Sequence, residues 1–115
     1  MGACTITLDS SPSPNENWGQ RNVVFGTLNL SNSYATGGDT FTVGEFALGQ
    51  LDALILTQDV TAAATYSITT VVNRTGLKIQ AFGNSASAGN GLVEIANNTD
   101  LSGGQYRFRF IAIGV

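Results

Sequence analysis

Hydrophobic and polar residues alternate with a period of two over most of the chain. Successive side chains of a β-strand point to opposite faces, so this pattern predicts strands with one buried face. In residues 23–31, for example, Val24 and Leu28 fall on one face and Phe25 falls on the other. The other alternating runs are 4–8, 53–57, 65–72, 77–82, 92–96 and 105–115. We therefore predict an all-β fold, an antiparallel β-sandwich or flattened barrel of about seven short strands.

Two of these runs are close enough along the chain to form a hairpin. Residues 65–72 and 77–82 flank the sequence Asn-Arg-Thr-Gly at 73–76, a connection rich in turn-forming residues. The last run, 105–115, has Phe108 and Phe110 on the same face. We expect that face to be part of the core.

The alternation is interrupted between Tyr34 and Gly49. A phosphate-binding glycine loop needs a following helix and usually a lysine, but Gly37 and Gly38 precede residues with an extended pattern. The glycine pair is therefore predicted to form a turn with φ above zero and no nucleotide site. Thr42-x-x-Glu45 has the spacing of a capping box, which predicts one short helical turn near 43–48 that stops at Gly49.

The composition favours a protein that assembles. A chain of 115 residues forms one domain, expected here over residues 1–115. Charged residues make up 11% of it, against about 25% in ordinary soluble domains. Its surface must therefore consist largely of hydroxyl and amide side chains, which cost less to bury in an interface than charges do.

Several classes of function are disfavoured by the residues present. The net charge is −3 and the five basic residues are scattered, so we expect no nucleic acid partner. No stretch approaches the ~18 apolar residues of a membrane span, and no secretion signal is recognisable, so we expect no membrane. Without histidine, with the single cysteine Cys4, and with eight isolated acids, we expect no catalytic, cofactor-binding or metal site and no enzyme activity.

Surface residues are the remaining functional candidates. Trp18 lies in a polar tract, residues 10–22, that contains both prolines, and we expect this tract to be an extended, loosely packed arm that becomes fixed on assembly. Trp18 is either a lid over the core or an anchor inserted into a partner, and the usual burial of aromatic residues in their own chain favours the lid. Arg107 and Arg109 are expected on one face of the last strand, because they alternate along the chain with aromatic residues that point to the opposite face.

The order of these elements resembles a group of small head proteins of tailed bacteriophages. The resemblance covers nearly the whole chain and depends on three features. They are the step Tyr34-x-Thr36-Gly37-Gly38-Asp39, the stretch containing Leu48, Leu51 and Asp52, and the closing Ala112-Ile113-Gly114.

The resemblance implies a capsid decoration (cement) protein that binds the head surface and reinforces contacts among subunits of the major capsid protein. It also implies a homo-oligomer, with a trimer favoured and a dimer next, made in the host cytoplasm and located on the virion. The residues expected to contact a partner are Trp18, Arg21, Tyr34, Arg107 and Arg109. An alternative is a tail- or fibre-associated β-sandwich that binds carbohydrate through exposed aromatic residues such as Trp18, Tyr34 and Tyr66.

Overall fold

Two antiparallel β-sheets pack against a common core, as the alternating pattern predicts. The computed structural model describes residues 2–9, 15–58, 68–84, 92–103 and 106–115. The strands in these ranges are β1 (Thr5–Leu8), β2 (Asn15–Trp18), β3 (Arg21–Asn29), β4 (Asp39–Thr40), β5 (Leu51–Gln58), β6 (Thr69–Asn73), β7 (Lys78–Asn84), β8 (Leu92–Glu94) and β9 (Arg107–Gly114). The prediction of an all-β sandwich is confirmed.

The larger sheet has the order β1-β3-β9-β5, and β2 also pairs with β3. Strands β3 and β9 are its centre and pair without interruption from Asn22 opposite Gly114 to Asn29 opposite Arg107. Leu28 lies opposite Phe108 in this register, and both are buried. The faces assigned to these strands from the sequence are therefore correct.

The smaller sheet has the order β4-β7-β6, and β8 also pairs with β7. The predicted hairpin is confirmed where the structure describes it, because residues 69–73 pair with 78–82. Residues 65–67 of the predicted strand lie outside the described residues. Leu77 belongs to the turn instead of the strand, because it adopts a left-handed φ of 57°.

Aromatic residues connect the two sheets in the core. Phe46 contacts Phe41 and Phe110 edge to face, with ring centroids 5.7 and 5.0 Å apart. The Phe110 ring covers Gly26 across the β3–β9 pair, and a side chain at Gly26 would meet that ring at 2.7 Å. Glycine at this position lets the ring approach the backbone.

The helical turn is shorter than predicted. A 3-10 helix spans Val43–Phe46 and ends at Ala47, which adopts a left-handed φ of 59°, so Gly49 is not its stop. The Glu45 carboxylate accepts the Thr42 backbone N–H at 2.9 Å, as a capping box requires. Gly49 instead donates its N–H to the Val115 carbonyl, which joins this segment to the end of β9.

The glycine pair forms the predicted turn. Gly37 and Gly38 have φ values of 93° and 117°, and the Gly38 N–H bonds to the Ala35 carbonyl at 2.9 Å. Asp39 is buried behind the turn and accepts the backbone N–H groups of Ser31 and Ala35 at 2.7 and 3.1 Å. The turn's polar groups are thus satisfied within the chain.

Part of the tract 10–22, for which the sequence suggests an extended arm, is paired within the larger sheet. Residues 15–18 are strand β2, which pairs with β3 from Asn15 opposite Val24 to Trp18 opposite Arg21. Gly19 has a positive φ of 63° in the tight turn between the two strands. Residues 10–14 lie outside the described residues.

Candidate partner-binding site

The larger sheet has a second face that is turned away from the core. We call it the outer face, and define it by the positions of β3, β9 and β5 that alternate with residues packed in the core between the sheets. Across β3, β9 and β5 the cross-strand neighbours are aligned in rows. From one end to the other, the rows are Val23–Ile113–Ala53, Phe25–Ile111–Ile55 and Thr27–Arg109–Thr57.

The centre of the outer face is apolar and accessible. Ile55 and Ile111 have 49% and 36% of their surface exposed, although both lie within regular strands. A shallow pocket of about 200 Å³ opens between β5 and β9 and is lined by Phe25, Ile55, Thr57, Arg109, Phe110 and Ile111. An exposed apolar surface with a polar margin is typical of a site that binds another macromolecule.

Trp18 lies at one end of this face. Its register opposite Arg21, and that of Glu16 opposite Val23, place both side chains on the outer face. Trp18 is 65% exposed, so the interpretation as a core lid, which the sequence favoured, is wrong. An exposed indole held on a strand is suited to anchor a partner.

The arginines expected to bind a partner lie at both ends of the same face, and Arg21 and Arg109 form ion pairs with other described residues. Arg21 Nε donates to Asp52 at 2.9 Å, beside Trp18. At the other end, Arg109 forms a bidentate ion pair with Asp9. Its Nη1 donates to Asp9 Oδ1 at 2.9 Å and its Nη2 donates to Oδ2 at 2.6 Å. Hydrogen bonds from these arginines lower the pKa of both carboxyl groups below its ordinary value. Arg107 lies next to Arg109 on this face, two residues earlier in β9 and opposite Asn29.

Tyr34 does not belong to this site, which corrects the expectation from the sequence. It is fully buried beside the smaller sheet, so it is accessible neither to a protein partner nor to a sugar. Its hydroxyl donates to Glu94 Oε2 at 2.7 Å and accepts the Ala81 N–H at 2.9 Å. Burial, together with the nearby Glu94 carboxylate, raises the pKa of Tyr34 well above its ordinary value.

Of the three aromatic residues considered for sugar binding, only Trp18 has an exposed ring in the described part of the chain. Tyr34 is buried, and Tyr66 lies outside the described residues. A sugar-binding platform built from several aromatic residues is therefore not supported by the described residues.

The cysteine and the acidic side chains are the groups of this chain with potential reactivity. Cys4 is buried in the core, and this burial, with the charges of Asp39 and Glu45, raises its pKa to about 12. Among the described residues, no group of three or more His, Cys, Asp or Glu side chains could hold a metal ion. In the same residues, no helix is long and apolar enough to cross a membrane.

The sequence pointed to four of the residues on the outer face, Trp18, Arg21, Arg107 and Arg109, and the structure brings them together. The sequence analysis did not identify the apolar centre of the outer face, which lies between these residues. The alternation does contain a signal for it, since Phe25 and Ile111 are large apolar residues at positions that face away from the core. Glu16 was missed because β2 was not predicted.

Comparison of the chain with protein-family models, curated proteins and solved structures finds no match.

Proposed function

We propose that this protein is a capsid decoration (cement) protein. In this proposal it binds as a homo-oligomer to the outer surface of a phage head and stabilises contacts between major capsid protein subunits. The observation that supports a binding role is the outer face, where Trp18, Arg21, Arg107 and Arg109 surround exposed isoleucines on one sheet. The resemblance of the sequence to phage head proteins supports the capsid as the partner.

The low charge of the chain suits this role. A decoration protein covers a broad, hydrated surface, and neutral polar groups lose less hydration free energy there than charges do. Two ion pairs between described residues of the outer face, Arg21–Asp52 and Arg109–Asp9, neutralise four of its charges within the chain. Contacts can therefore form without leaving these charges unpaired.

The sheet architecture provides mechanical resistance. Strands β3 and β9 pair over eight residue positions, and β5 continues the sheet on the other side of β9. A domain of this kind that bridges two capsid subunits has to detach or unfold before they can separate. Several weak contacts made by one oligomer add up to firm attachment, because each contact raises the effective concentration for the next.

Binding to heads tests the proposal. Purified protein is added to phage heads that lack it, and bound protein is measured by sedimentation and mass spectrometry. We expect saturation at a fixed ratio to the major capsid protein and a higher temperature of head disruption. Heads incubated with an unrelated β-sandwich of similar size are the control. No saturable binding to the heads, or binding only to a glycan array, would contradict the proposal.

A further inference from the structure

We infer that the glycine turn, defined here as residues 34–38, is a local clasp that opens in acid. The clasp is closed while the Glu94 carboxylate is ionised. Protonation of this carboxylate releases the turn from the β8 segment, defined as residues 92–99, while the larger sheet stays paired. The inference concerns the folded chain by itself and goes beyond the proposed function.

Backbone N–H groups of the turn have side-chain acceptors on the β8 segment. Thr36 donates its N–H to Asn97 Oδ1 at 3.1 Å, and Gly37 donates its N–H to Glu94 Oε2 at 2.8 Å. Neither N–H takes part in a strand pairing. A partly buried N–H that loses its acceptor costs free energy, so the closed position of the turn depends on these two oxygens.

Tyr34 joins the same two segments from the other direction. Its N–H donates to the Thr99 carbonyl at 2.9 Å, and its carbonyl accepts the Asn98 N–H at 2.7 Å. Its hydroxyl donates to Glu94. The turn and the β8 segment are thus one hydrogen-bonded unit, and of the groups in these contacts only the Glu94 carboxylate gains a proton in acid.

This unit is weakly held compared with the larger sheet. Strand β8 has three residues, of which Leu92 and Val93 are more than half exposed, whereas β3 and β9 pair over eight positions. Regions with little buried apolar surface open at a lower free energy than the central strands of a sheet. Burial of the Tyr34 ring opposes the opening, so the open form is a minor state at neutral pH.

The elements packed around Glu94 carry few other charged or titratable groups. Among the described residues, these groups are Tyr34 in the turn, Asp39 directly after it, Lys78 on β7 and Asp100 at the end of the β8 segment. Asp39 accepts the backbone N–H groups of Ser31 and Ala35, and Asp100 accepts hydrogen bonds from Ser102. Neither of these carboxylates bridges the turn to the β8 segment in those contacts, which leaves that role to Glu94.

The direction of the pH effect follows from the contacts of Glu94. Hydrogen bonds, with the largest effect from Tyr34, lower the pKa of Glu94 below its ordinary value of 4.5 in the closed form. The open form lacks these hydrogen bonds, so the ordinary value returns there. The opening constant, which is the ratio of open to closed form, is therefore steady above about pH 4.5. It rises as the pH falls towards the closed-form value, by at most about tenfold per pH unit.

Amide hydrogen exchange of the purified, isotope-labelled protein, followed by NMR from about pH 6 to about pH 3.5, tests the clasp. After correction for intrinsic exchange rates, the N–H groups of Thr36 and Gly37 should have opening constants at least about tenfold larger than the slowest amides of β3 and β9. Low concentrations of urea should leave these larger constants unchanged, because a local opening exposes little surface. The same constants should rise in acid.

Two variants separate the titrating contact from the neutral one. Glu94→Gln should raise the opening constant about tenfold at pH 6 and abolish its rise in acid. Asn97→Ala removes the neutral acceptor of Thr36, so it should raise the constant by roughly fivefold at every pH and keep the rise. Glu16→Gln is the matched control, because Glu16 is exposed on β2, and it should change neither quantity.

Either of two results would overturn the inference. One is exchange of the turn amides with the same opening constant and urea dependence as those of β3 and β9, which would mean that the turn opens only when the whole chain unfolds. The other is a rise in acid that persists in Glu94→Gln, which would assign the effect to another group.

If Glu94→Gln does not fold, the wild-type titration decides. The amide proton shift of Gly37 and the carboxyl carbon shift of Glu94 should then have the same midpoint pH, below about 4.5, as the hydrogen bond between them requires. Different midpoints would contradict the inference. Since no heads are present in these measurements, their outcome is independent of the test of head binding.

Discussion

Glu94 links three parts of the chain through one carboxylate oxygen. Its Oε2 accepts the Tyr34 hydroxyl at 2.7 Å and the Gly37 N–H at 2.8 Å, and lies 3.5 Å from Gln80 Nε2. The hydroxyl in turn accepts the N–H of Ala81 on β7. A tyrosine that looked like a binding residue in the sequence therefore secures the glycine turn to the smaller sheet.

This contact predicts a pH-dependent contribution to stability. The hydrogen bond from Tyr34, followed by those from Gly37 and Gln80, lowers the pKa of Glu94 below its ordinary value of 4.5. A lowered folded-state pKa means that the contribution is complete above about pH 4.5 and is lost as the pH falls through the folded-state value. Glu94→Gln should thus cost roughly 1–2 kcal/mol at neutral pH and progressively less in acid.

Denaturant unfolding of wild type and Glu94→Gln from pH 7 to pH 3 measures this difference. Glu16→Gln is the control, because Glu16 is exposed and the change in net charge is the same. A difference between wild type and Glu94→Gln that stays constant with pH would refute the assignment of this role to the Glu94 carboxylate.

Alanine substitutions at the two glycines of the turn, Gly37 and Gly38, should lower the free energy of unfolding by different amounts. Both glycines have positive φ, so alanine strains the backbone at either position by about 1–2 kcal/mol. At Gly37 a Cβ atom meets nothing within 4 Å, whereas at Gly38 it would lie 3.0 Å from the Ile79 carbonyl carbon and oxygen. Gly38→Ala should therefore destabilise the fold by roughly 1 kcal/mol more than Gly37→Ala, because β7 would have to shift. Equal melting temperatures for the two variants would contradict this.

Strands were predictable from the sequence where one face is buried and the other is polar. Strand β7 shows this, since Ile79 and Ala81 are buried and Lys78 is more accessible. Strand β2 was missed because its sequence Asn-Glu-Asn-Trp has no apolar alternation. It forms because it can pair with the start of β3 at the edge of the sheet. The length of the helical turn was missed because the left-handed backbone at Ala47 has no glycine to signal it.

The candidate site was predictable only in its parts. Arg107 and Arg109 share a face by their spacing alone, and that much follows from the sequence. That Trp18 joins them depends on the pairing of β2 with β3, which joins distant segments of the chain to one sheet. Burial of Tyr34 could not be predicted, because a tyrosine is equally suited to a core and to an interface, and its partner Glu94 is 60 residues away.

At the scale of the whole molecule, the main physical property is a surface with little charge. Only 13 of the 115 residues are charged, and of the eight acids, Asp9 and Asp52 are paired with arginines on the outer face. A decoration protein with this surface would bind mainly through apolar contacts and neutral hydrogen bonds. Its attachment should therefore respond weakly to salt.

Measuring head occupancy against salt concentration tests this expectation. Between about 0.1 and about 1 M NaCl the Debye length falls from ~10 to ~3 Å, which removes most attraction between exposed charges. Because the outer face has compensating charges and an apolar centre, we expect the dissociation constant for heads to change by less than about threefold across this range. Heads alone, followed by light scattering at each salt concentration, show whether the particles stay intact. A loss of affinity of tenfold or more on intact heads would mean that charged residues, instead of the apolar centre of the outer face, dominate the attachment.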